Sequence, residues 1–304
     1  MITKFGRRFI TSCLAGLTTF TKQDLAFGIV NTSPDVNGDD TRLGFEFYRI
    51  PVTFGSIDIQ QTGTVNGNPV FGYIAVYKTT LPQDIAGKIS EIGLYPSNRT
   101  SMNNYDSKIL ADFENSLLWN DINGYSPELI PYSESASINP RVGSYLLKST
   151  TAASASREFY SFIPSIDISG YSGNDTIAFA FHQEDTNLNS IKIKFYSSDT
   201  SYLYMDITGS ELSTSGAKII SKSVSSLQSY GSPNTYSITK IGVEVTAKST
   251  GSTVVYFDAL RVNDEDTFDP TFGLISRSVF TSGNELIKEA GKPVDVEYRL
   301  ELNF

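Results

Sequence analysis

Two residue types that often carry catalysis occur once each in this sequence. His182 is the only histidine and Cys13 the only cysteine among 304 residues. A catalytic histidine needs a nucleophile and an orienting partner, and the residues around His182, after the apolar run 177–181, identify neither. Transition metals usually take several His or Cys ligands. The sequence therefore disfavours His-dependent triads and transition-metal sites, and it excludes an internal disulfide.

Carboxylates are the next candidates, because a pair about 5–10 Å apart across a cleft can hydrolyse a glycosidic bond. The 33 Asp and Glu residues are scattered along the chain. No cluster of Trp, Asp and Glu forms a recognisable sugar subsite. We therefore expect no enzymatic activity and no required cofactor, and we keep a glycan hydrolase as an alternative.

Aromatic side chains are candidates for stacking on sugar rings. Trp119 is the only tryptophan, beside 17 Tyr and 19 Phe. Tyr230 lies in the turn-rich stretch 229–234, where a surface position is expected. Trp119 is close to a predicted strand, where aromatic rings are also ordinary core material. We take Tyr230 and Trp119 as candidate glycan contacts. Further tyrosines could offer faces for stacking on sugar rings, namely Tyr125, Tyr132, Tyr145, Tyr160, Tyr171, Tyr202 and Tyr204.

Length and charge bound the class of protein. A chain of 304 residues suits two domains. The formal charge of −9 disfavours binding to nucleic acid. No apolar run reaches the roughly 18 residues of a membrane span. Residues 4–17 join three basic residues to a short interrupted apolar run, which predicts an amphipathic arm or short helix, with a weak export signal as the alternative.

Strand signals run through the chain. The richness in Tyr, Phe, Ile and Thr suits strands, and Asn66-Gly67 predicts a two-residue hairpin turn. Residues 294–302 alternate apolar and charged side chains, as in a half-buried strand. Between 142 and 262, short strand-like runs separated by turn residues predict a β-sandwich or jelly roll.

The predicted fold class is all-β, with a discontinuous β-sandwich host domain and an inserted jelly-roll β-sandwich. The host comprises 1–96 plus 271–304, and the inserted domain 109–265, with linkers at 97–108 and 266–270. An inserted domain needs its two ends close together. Without 271–304, the host would lack its final strands and expose a sheet edge.

The two outer pieces resemble a module that recurs in structural proteins of tailed bacteriophages, in tails, necks, baseplates and fibres. Three stretches carry the resemblance: LGFEFYRIPV at 43–52, ISEIGLY at 89–95, and 274–300, which includes IKEAGKPVDVEY. In simpler members the second stretch soon leads to the third. Here an insertion of about 170 residues separates them, which favours the two-domain organisation.

Residues 109–265 resemble a galactose-binding-like jelly roll of the carbohydrate-binding-module type. The resemblance rests on DFE at 112–114 with Trp119, on IDISGY at 166–171, and on VYFDALRV at 255–262. In such jelly rolls an acidic residue from the first strand and one from the last often hold calcium. The resemblance therefore implies a possible calcium site at Asp112, Glu114 and Asp258, with exposed strand-end acids as the alternative.

Together the resemblances imply a structural component of a phage particle, located in the virion at a tail, neck or collar, baseplate or fibre attachment. The host domain would assemble with copies of itself and with other virion proteins. The inserted domain would serve decoration or weak contact with host-surface glycans. The first alternative is an exported carbohydrate-binding protein, and the second is the glycan hydrolase.

Overall fold

The structure is a computed structural model that describes residues 1–17, 22–30, 32–96, 108–122, 127–133, 136–171, 173, 175–263 and 273–302. These ranges form one α-helix and twenty strands, which confirms the predicted all-β class. The chain divides into two compact units. The outer unit comprises Met1–Thr100 and Thr267–Phe304, and the inserted unit comprises Ser101–Asp266.

The elements follow one another in chain order. The first part of the outer unit contains α1 (Lys4–Leu14), β1 (Gln23–Gly28), β2 (Glu46–Val65), β3 (Asn68–Leu81), β4 (Gly87–Ile89) and β5 (Glu91–Pro96). The inserted unit contains β6 (Lys108–Ala111), β7 (Trp119–Asp121), β8 (Glu128–Pro131), β9 (Tyr145–Thr151), β10 (Ser156–Ile166), β11 (Thr176–Gln183), β12 (Leu188–Ser198), β13 (Ser201–Thr208), β14 (Gly216–Ser223), β15 (Gln228–Tyr230), β16 (Ile238–Ala247) and β17 (Thr253–Asn263). The outer unit then resumes with β18 (Ser276–Val279), β19 (Leu286–Lys288) and β20 (Val294–Leu302).

The outer unit is built on one antiparallel sheet with strand order β18-β5-β1-β2-β3-β20. Asn66 and Gly67 both have positive φ, 51° and 81°, which confirms the predicted hairpin turn between β2 and β3. The helix α1 starts after Thr3, whose side chain accepts a hydrogen bond from the Gly6 N–H at 2.9 Å. Phe9 of this helix is buried in the same core cluster as Leu25 and Phe27.

A buried ion pair joins the three stretches that carry the phage-module resemblance. Glu91 of β5 is fully buried, and its carboxylate accepts from the backbone N–H groups of Gly44 and Phe45 at 3.1 and 3.0 Å. Arg277 of β18 donates to the same carboxylate through Nε and Nη2, at 2.9 and 2.7 Å. Both guanidinium bonds converge on Oε2, and together with the backbone donors they satisfy the charge inside the core.

The inserted unit is a sandwich of two antiparallel sheets. The first has strand order β15-β13-β12-β16-β10-β7, and the second β14-β11-β17-β9-β8, with β6 beside β17. Side chains from both sheets form one core cluster, which includes Phe159 and Phe257 with ring centroids 5.1 Å apart. Because Lys108 pairs with Val262, the start and end of the unit lie side by side. No helix in the described part of the chain is long and apolar enough to cross a membrane.

Candidate functional site

The outward side of the first sheet of the inserted unit carries a patch of aromatic and charged side chains, here called the tyrosine face. Successive residues of a strand point to opposite sides of its sheet. On β12, Ile191, Ile193 and Phe195 are buried in the core, so Lys192, Lys194 and Tyr196 face outward. The strand register extends this alternation across the sheet and arranges the outward residues in three rows.

The first row crosses five neighbouring strands. The pairings Tyr230 with Tyr202, Tyr202 with Tyr196, Tyr196 with Lys240 and Lys240 with Phe162 place one residue of each strand side by side. Four steps of about 4.8 Å give this row a length of roughly 19 Å. Four of its five residues are aromatic, but Tyr196 is only 6% exposed and Lys240 separates it from Phe162, so the accessible rings lie towards the two ends of the row.

The rings of this row hold one another in place while its two ends stay open to solvent. Tyr202 and Tyr230 are stacked, with centroids 5.1 Å apart, and Tyr196 lies 4.8 Å from Tyr202. The Lys240 ammonium lies 4.2 Å from the Tyr196 ring centroid, a cation–π distance. At the two ends, Tyr230 is 58% exposed and Phe162 68%. These two rings are the most accessible stacking surfaces of the row.

The other two rows supply polar and charged groups. The second row, aligned by strand register, is Gln228, Tyr204, Lys194, Gly242 and Tyr160. The third is Asp206, Lys192, Glu244 and Glu158. The face therefore changes along the strands from aromatic to charged, and hydrogen-bonding groups lie beside the first row.

Lys194 organises the centre of the face. Its ammonium lies 2.6 Å from a carboxylate oxygen of Glu158 and 2.6 Å from one of Glu244, and the Tyr196 hydroxyl donates to the other Glu158 oxygen. Burial alone would raise the pKa of Glu244, but the bond and the charge of Lys194 outweigh it and lower that pKa. The Glu244 carboxylate at the centre is thus held in ionised form, and Lys194 fixes its position.

Gly242 makes room for this arrangement. A Cβ at this position would lie 2.8 Å from Cε2 of Tyr196 and 3.0 Å from Oε1 of Glu158. The hydrogen-bonded pair of Tyr196 and Glu158 therefore crosses directly over the glycine backbone. A side chain here would push the ring of the first row away from the sheet.

Two of the three residues of the expected calcium site come together. The Glu114 carboxylate accepts from the N–H groups of Ser144 and Tyr145 at 2.8 and 3.2 Å. Asp258 of β17, fully buried, accepts from those of Arg141 and Val142 at 3.0 and 3.1 Å. Both carboxylates thus bind one loop, residues 140–145, here called the carboxylate-bound loop.

Burial raises the pKa of Glu114 and of Asp258, each to about 7. The backbone donors oppose this rise, and the two carboxylates are close enough for Glu114 to raise the pKa of Asp258 further. A bound cation would favour the ionised forms of such a pair. The arrangement is therefore suited in charge to a divalent ion.

Asp112 is exposed and accepts a hydrogen bond from the Glu114 N–H at 3.2 Å, so it shapes the turn before Glu114. In the described residues, no group of three or more His, Cys, Asp or Glu side chains is arranged to hold a metal. Two carboxylates supply only part of the six to eight oxygen ligands that calcium takes. Backbone carbonyls or water would have to supply the rest, and the calcium site stays a prediction.

The two candidate glycan contacts have different positions. Tyr230 ends the first row of the tyrosine face and is exposed. Trp119 is only 4% exposed and stacks on Phe113, with centroids 4.7 Å apart. Phe113 has a φ of 59°, a left-handed conformation uncommon for a bulky residue, and its ring is fully buried. Trp119 is therefore a core residue without an accessible face, which corrects its candidacy as a sugar contact.

Several members of the face were not singled out from the sequence. Tyr196, Phe162 and Gly242 become notable only when the register places them beside Tyr202, Lys240 and Tyr160. The available signal was the two-residue alternation within 190–196 and 202–206, but alternation does not specify which strands are neighbours. His182 lies elsewhere, on β11 of the second sheet, where burial lowers its pKa.

Comparison with known proteins gives matches among solved structures alone. No protein-family model matches the chain, and no curated protein matches it. A family 11 carbohydrate-binding module from Clostridium thermocellum, in complex with a β-1,3-1,4-mixed-linked tetrasaccharide, has 18% identity, a TM-score of 0.35, and coverage of 52% of this chain and 95% of its own.

Two further solved structures show the same range of likeness. A carbohydrate-binding module of family 28, specific for non-crystalline cellulose, has 10% identity and a TM-score of 0.35, covering 54% of this chain and 99% of its own. An exo-β-agarase has 14% identity and a TM-score of 0.37, covering 54% of this chain and 26% of its own. TM-scores below 0.5 assign no function to this chain.

Proposed function

We propose that the inserted unit binds an extended neutral glycan on the tyrosine face, without cleaving it. The observation that carries this proposal is the first row, in which Tyr230, Tyr202, Tyr196 and Phe162 line up with Lys240 across five strands. Aromatic rings stack on apolar ring faces, and the adjoining polar groups fix orientation by hydrogen bonds. A row about 19 Å long is long enough for several sugar units.

The charge balance of the face favours a neutral ligand. Lys192 and Lys194 are within 4 Å of carboxylates on the same face, and Lys240 pairs with Asp199 in the turn between β12 and β13. A polyanion would have to displace these ion pairs, and the chain as a whole carries a charge of −9. A neutral polysaccharide does not have to displace these ion pairs and is not repelled by the net charge.

The central carboxylates support binding rather than hydrolysis. A glycosidase needs a general acid whose pKa is raised so that it carries a proton. On the tyrosine face the pKa of Glu244 is lowered and Lys194 holds Glu158 and Glu244 together. Asp258, whose pKa is raised, is buried in the sandwich, and Glu114, whose pKa is also raised, is bonded to the carboxylate-bound loop and is not part of the tyrosine face.

Affinity gel electrophoresis of the full chain tests the proposal. The gels contain soluble β-glucans, xylans or galactans, and polygalacturonate serves as the acidic comparison. We expect a neutral polysaccharide to retard the protein. Tyr230→Ala and Phe162→Ala should each weaken binding by at least about 1 kcal/mol, roughly fivefold, because each removes an accessible ring.

Tyr145→Ala is the matched control. Tyr145 is an exposed tyrosine of the same unit, but it lies on β9 of the second sheet, so its loss should leave retardation unchanged. Equal weakening by Tyr145→Ala, or no retardation by any neutral polysaccharide, contradicts glycan binding on the tyrosine face. Release of reducing sugar would contradict the non-catalytic role.

A structural role in a phage particle, and location in the virion, stay predictions that rest on the sequence resemblance of the outer unit. No comparison with a known protein supports them. An exported carbohydrate-binding protein is compatible with the same tyrosine face. Immunogold labelling of phage particles from the source culture would distinguish the two, since a virion component must label the particles.

A further inference from the structure

The hairpin of β2 and β3 extends beyond the rest of the outer unit. β1 pairs with β2 only as far as Val52, and β20 pairs with β3 only as far as Tyr73. Residues 53–73, here called the arm, therefore extend past β1, and β20 still flanks β3 as far as Tyr73. Beyond that point, residues 60–72 continue as a two-stranded ribbon among the described strands. Two strands alone are marginally stable in water, so this end of the arm needs a further surface to pack against.

One face of the arm continues the core face of the sheet. At the base, Tyr77, Ala75 and Leu300 point into the core of the outer unit and are buried. The register places further apolar residues on the same face, beyond the core. These are Phe54 (49% exposed), Ile57 (63%), Ile59 (65%), Phe71 (56%) and Tyr73 (47%). The apolar face thus extends past the side chains that cover it.

The arm is also nearly free of charge. Asp58 is the only charged residue between 53 and 73. It pairs with Ile74 in the register, on the side opposite to Ile57 and Ile59, and lies 3.9 Å from Arg299. Exposed edge strands are usually protected by lysines, inward-pointing charges or prolines. The apolar face of the arm has no lysine and no inward-pointing charge, and Pro69 near its tip is its one proline.

We propose that the arms of two copies of this chain pack face to face about a two-fold axis and hold a homodimer. With about 200 Å² for a fully exposed side chain of this size, the five exposed fractions give on the order of 550 Å² of apolar area. A standard interface buries roughly 800 Å² per partner, so the face supplies most of the area that a stable dimer needs.

A second copy fits this face better than a highly charged partner does. Each chain carries −9, so two copies repel except where the contact is uncharged, and the arm supplies such a contact. A two-fold interface presents the same patch from both chains, and one apolar ribbon packing on another forms a small sandwich core. The dimer is independent of glycan binding, because the tyrosine face belongs to the inserted unit.

Analytical ultracentrifugation of the full chain between about 0.5 and 100 µM tests the dimer. The natural protein should sediment as a dimer at micromolar concentration, and Ile59→Asp should weaken association at least tenfold by placing a charge in the apolar contact. Gln60→Asp adds the same charge on the next residue, which faces the opposite side, and should dimerise like the natural protein. Circular dichroism checks that both variants are folded.

A gain of signal keeps the test independent of lost folding. In a Cys13→Ser background, Ile57→Cys should join two chains through a bifunctional maleimide, whereas Gln60→Cys should not. A monomer at every concentration overturns the proposal. Equal weakening by Ile59→Asp and Gln60→Asp, or equal cross-linking at 57 and 60, overturns it as well. Tyr230→Ala should leave the dimer intact.

Discussion

Glu91 is a single side chain that connects separate segments of the outer unit. Its buried carboxylate is bonded to backbone N–H groups of the segment before β2 and to Arg277 of β18. Replacing it with glutamine removes the nearer counter-charge of the buried Arg277 guanidinium, whose Nη1 keeps its contact with Asp40 at 3.2 Å. Breaking a buried pair typically costs about 3–5 kcal/mol. Because Asp40 still balances part of the charge, we expect Glu91→Gln to lower the free energy of unfolding of the outer unit by about 3 kcal/mol, the lower end of that range.

Chemical denaturation followed by circular dichroism measures the effect of Glu91→Gln. The control is Lys292→Met, which breaks an exposed pair with Glu289, where the side chains are 77% and 47% exposed. Exposed pairs contribute about 0–1 kcal/mol, so the control should unfold almost like the natural protein. If both variants lose the same stability, the buried pair does not have the role assigned to it.

At the scale of single residues, the sequence does not show in which direction each side chain points. Tyr230 was expected on the surface because turn residues surround it, and it is exposed. The burial of Trp119 depends on Phe113, whose left-handed backbone places its ring against the indole. No local sequence pattern specifies that backbone conformation. Glu91 and Arg277 are 186 positions apart, so their pairing depends on tertiary structure that residue spacing does not encode.

At the scale of elements, the carboxylate-bound loop links stability to pH. The pKa of Glu114 and of Asp258 is raised by burial to about 7 in the folded protein, whereas both ionise near 4 when unfolded. Between those values the folded state binds more protons than the unfolded state. The contribution of the pair is therefore full below about pH 4 and is lost as pH rises through 7.

Glu114→Gln tests this linkage in thermal denaturation with EDTA present. The natural protein should have its largest advantage over the variant at about pH 4, and the advantage should shrink towards pH 8 as the natural carboxyl groups ionise in a buried place. A difference that does not change with pH would contradict the raised pKa values. The measurement requires no ligand and no partner.

Calcium should reverse the trend at high pH. We propose that Glu114 and Asp258, with backbone carbonyls, hold the ion, because two buried carboxylates gain most from a divalent charge. Millimolar calcium should then raise the melting temperature of the natural protein at pH 8 by several degrees and leave Glu114→Gln unchanged. The same shift in both proteins would assign calcium to another position and contradict this site.

Elements were predictable where a local rule determines them. The Asn66-Gly67 turn follows from two residues that tolerate positive φ, and the alternation over 294–302 gives β20. The length of β2 was not predictable in the same way. Its 20 residues include two irregular pairings with β3, near Gly55 and Thr62. The alternation of apolar residues in the arm also does not show whether its apolar face is buried or exposed.

For the whole molecule, the strand register shows how a long segment can be inserted between two neighbouring strands of a sheet. In the outer unit, Leu94 pairs with Ser276, so the chain leaves β5 and returns in β18 beside it. In the inserted unit, Lys108 pairs with Val262, which brings its own two ends together. The sequence indicated this organisation through the separated stretches of one module. The sequence does not predict the order of strands within each sheet, because many strand orders satisfy the same alternation.

These two pairings predict that each unit folds without the other. Joining Pro96 to Gly273 through a short Gly-Ser turn should leave the sheet β18-β5-β1-β2-β3-β20 complete, since hairpins close over two to five residues. The shortened chain should unfold cooperatively, remain sensitive to Glu91→Gln, and bind no glycan.

Residues 101–266 alone should fold and keep the affinity of the full chain for its polysaccharide, because every residue of the tyrosine face lies within them. Calorimetry of the natural protein should then show two transitions, each matched by one piece. If residues 101–266 fail to unfold cooperatively, the sandwich depends on the outer unit, and the adjacent ends at Lys108 and Val262 do not define an independent domain.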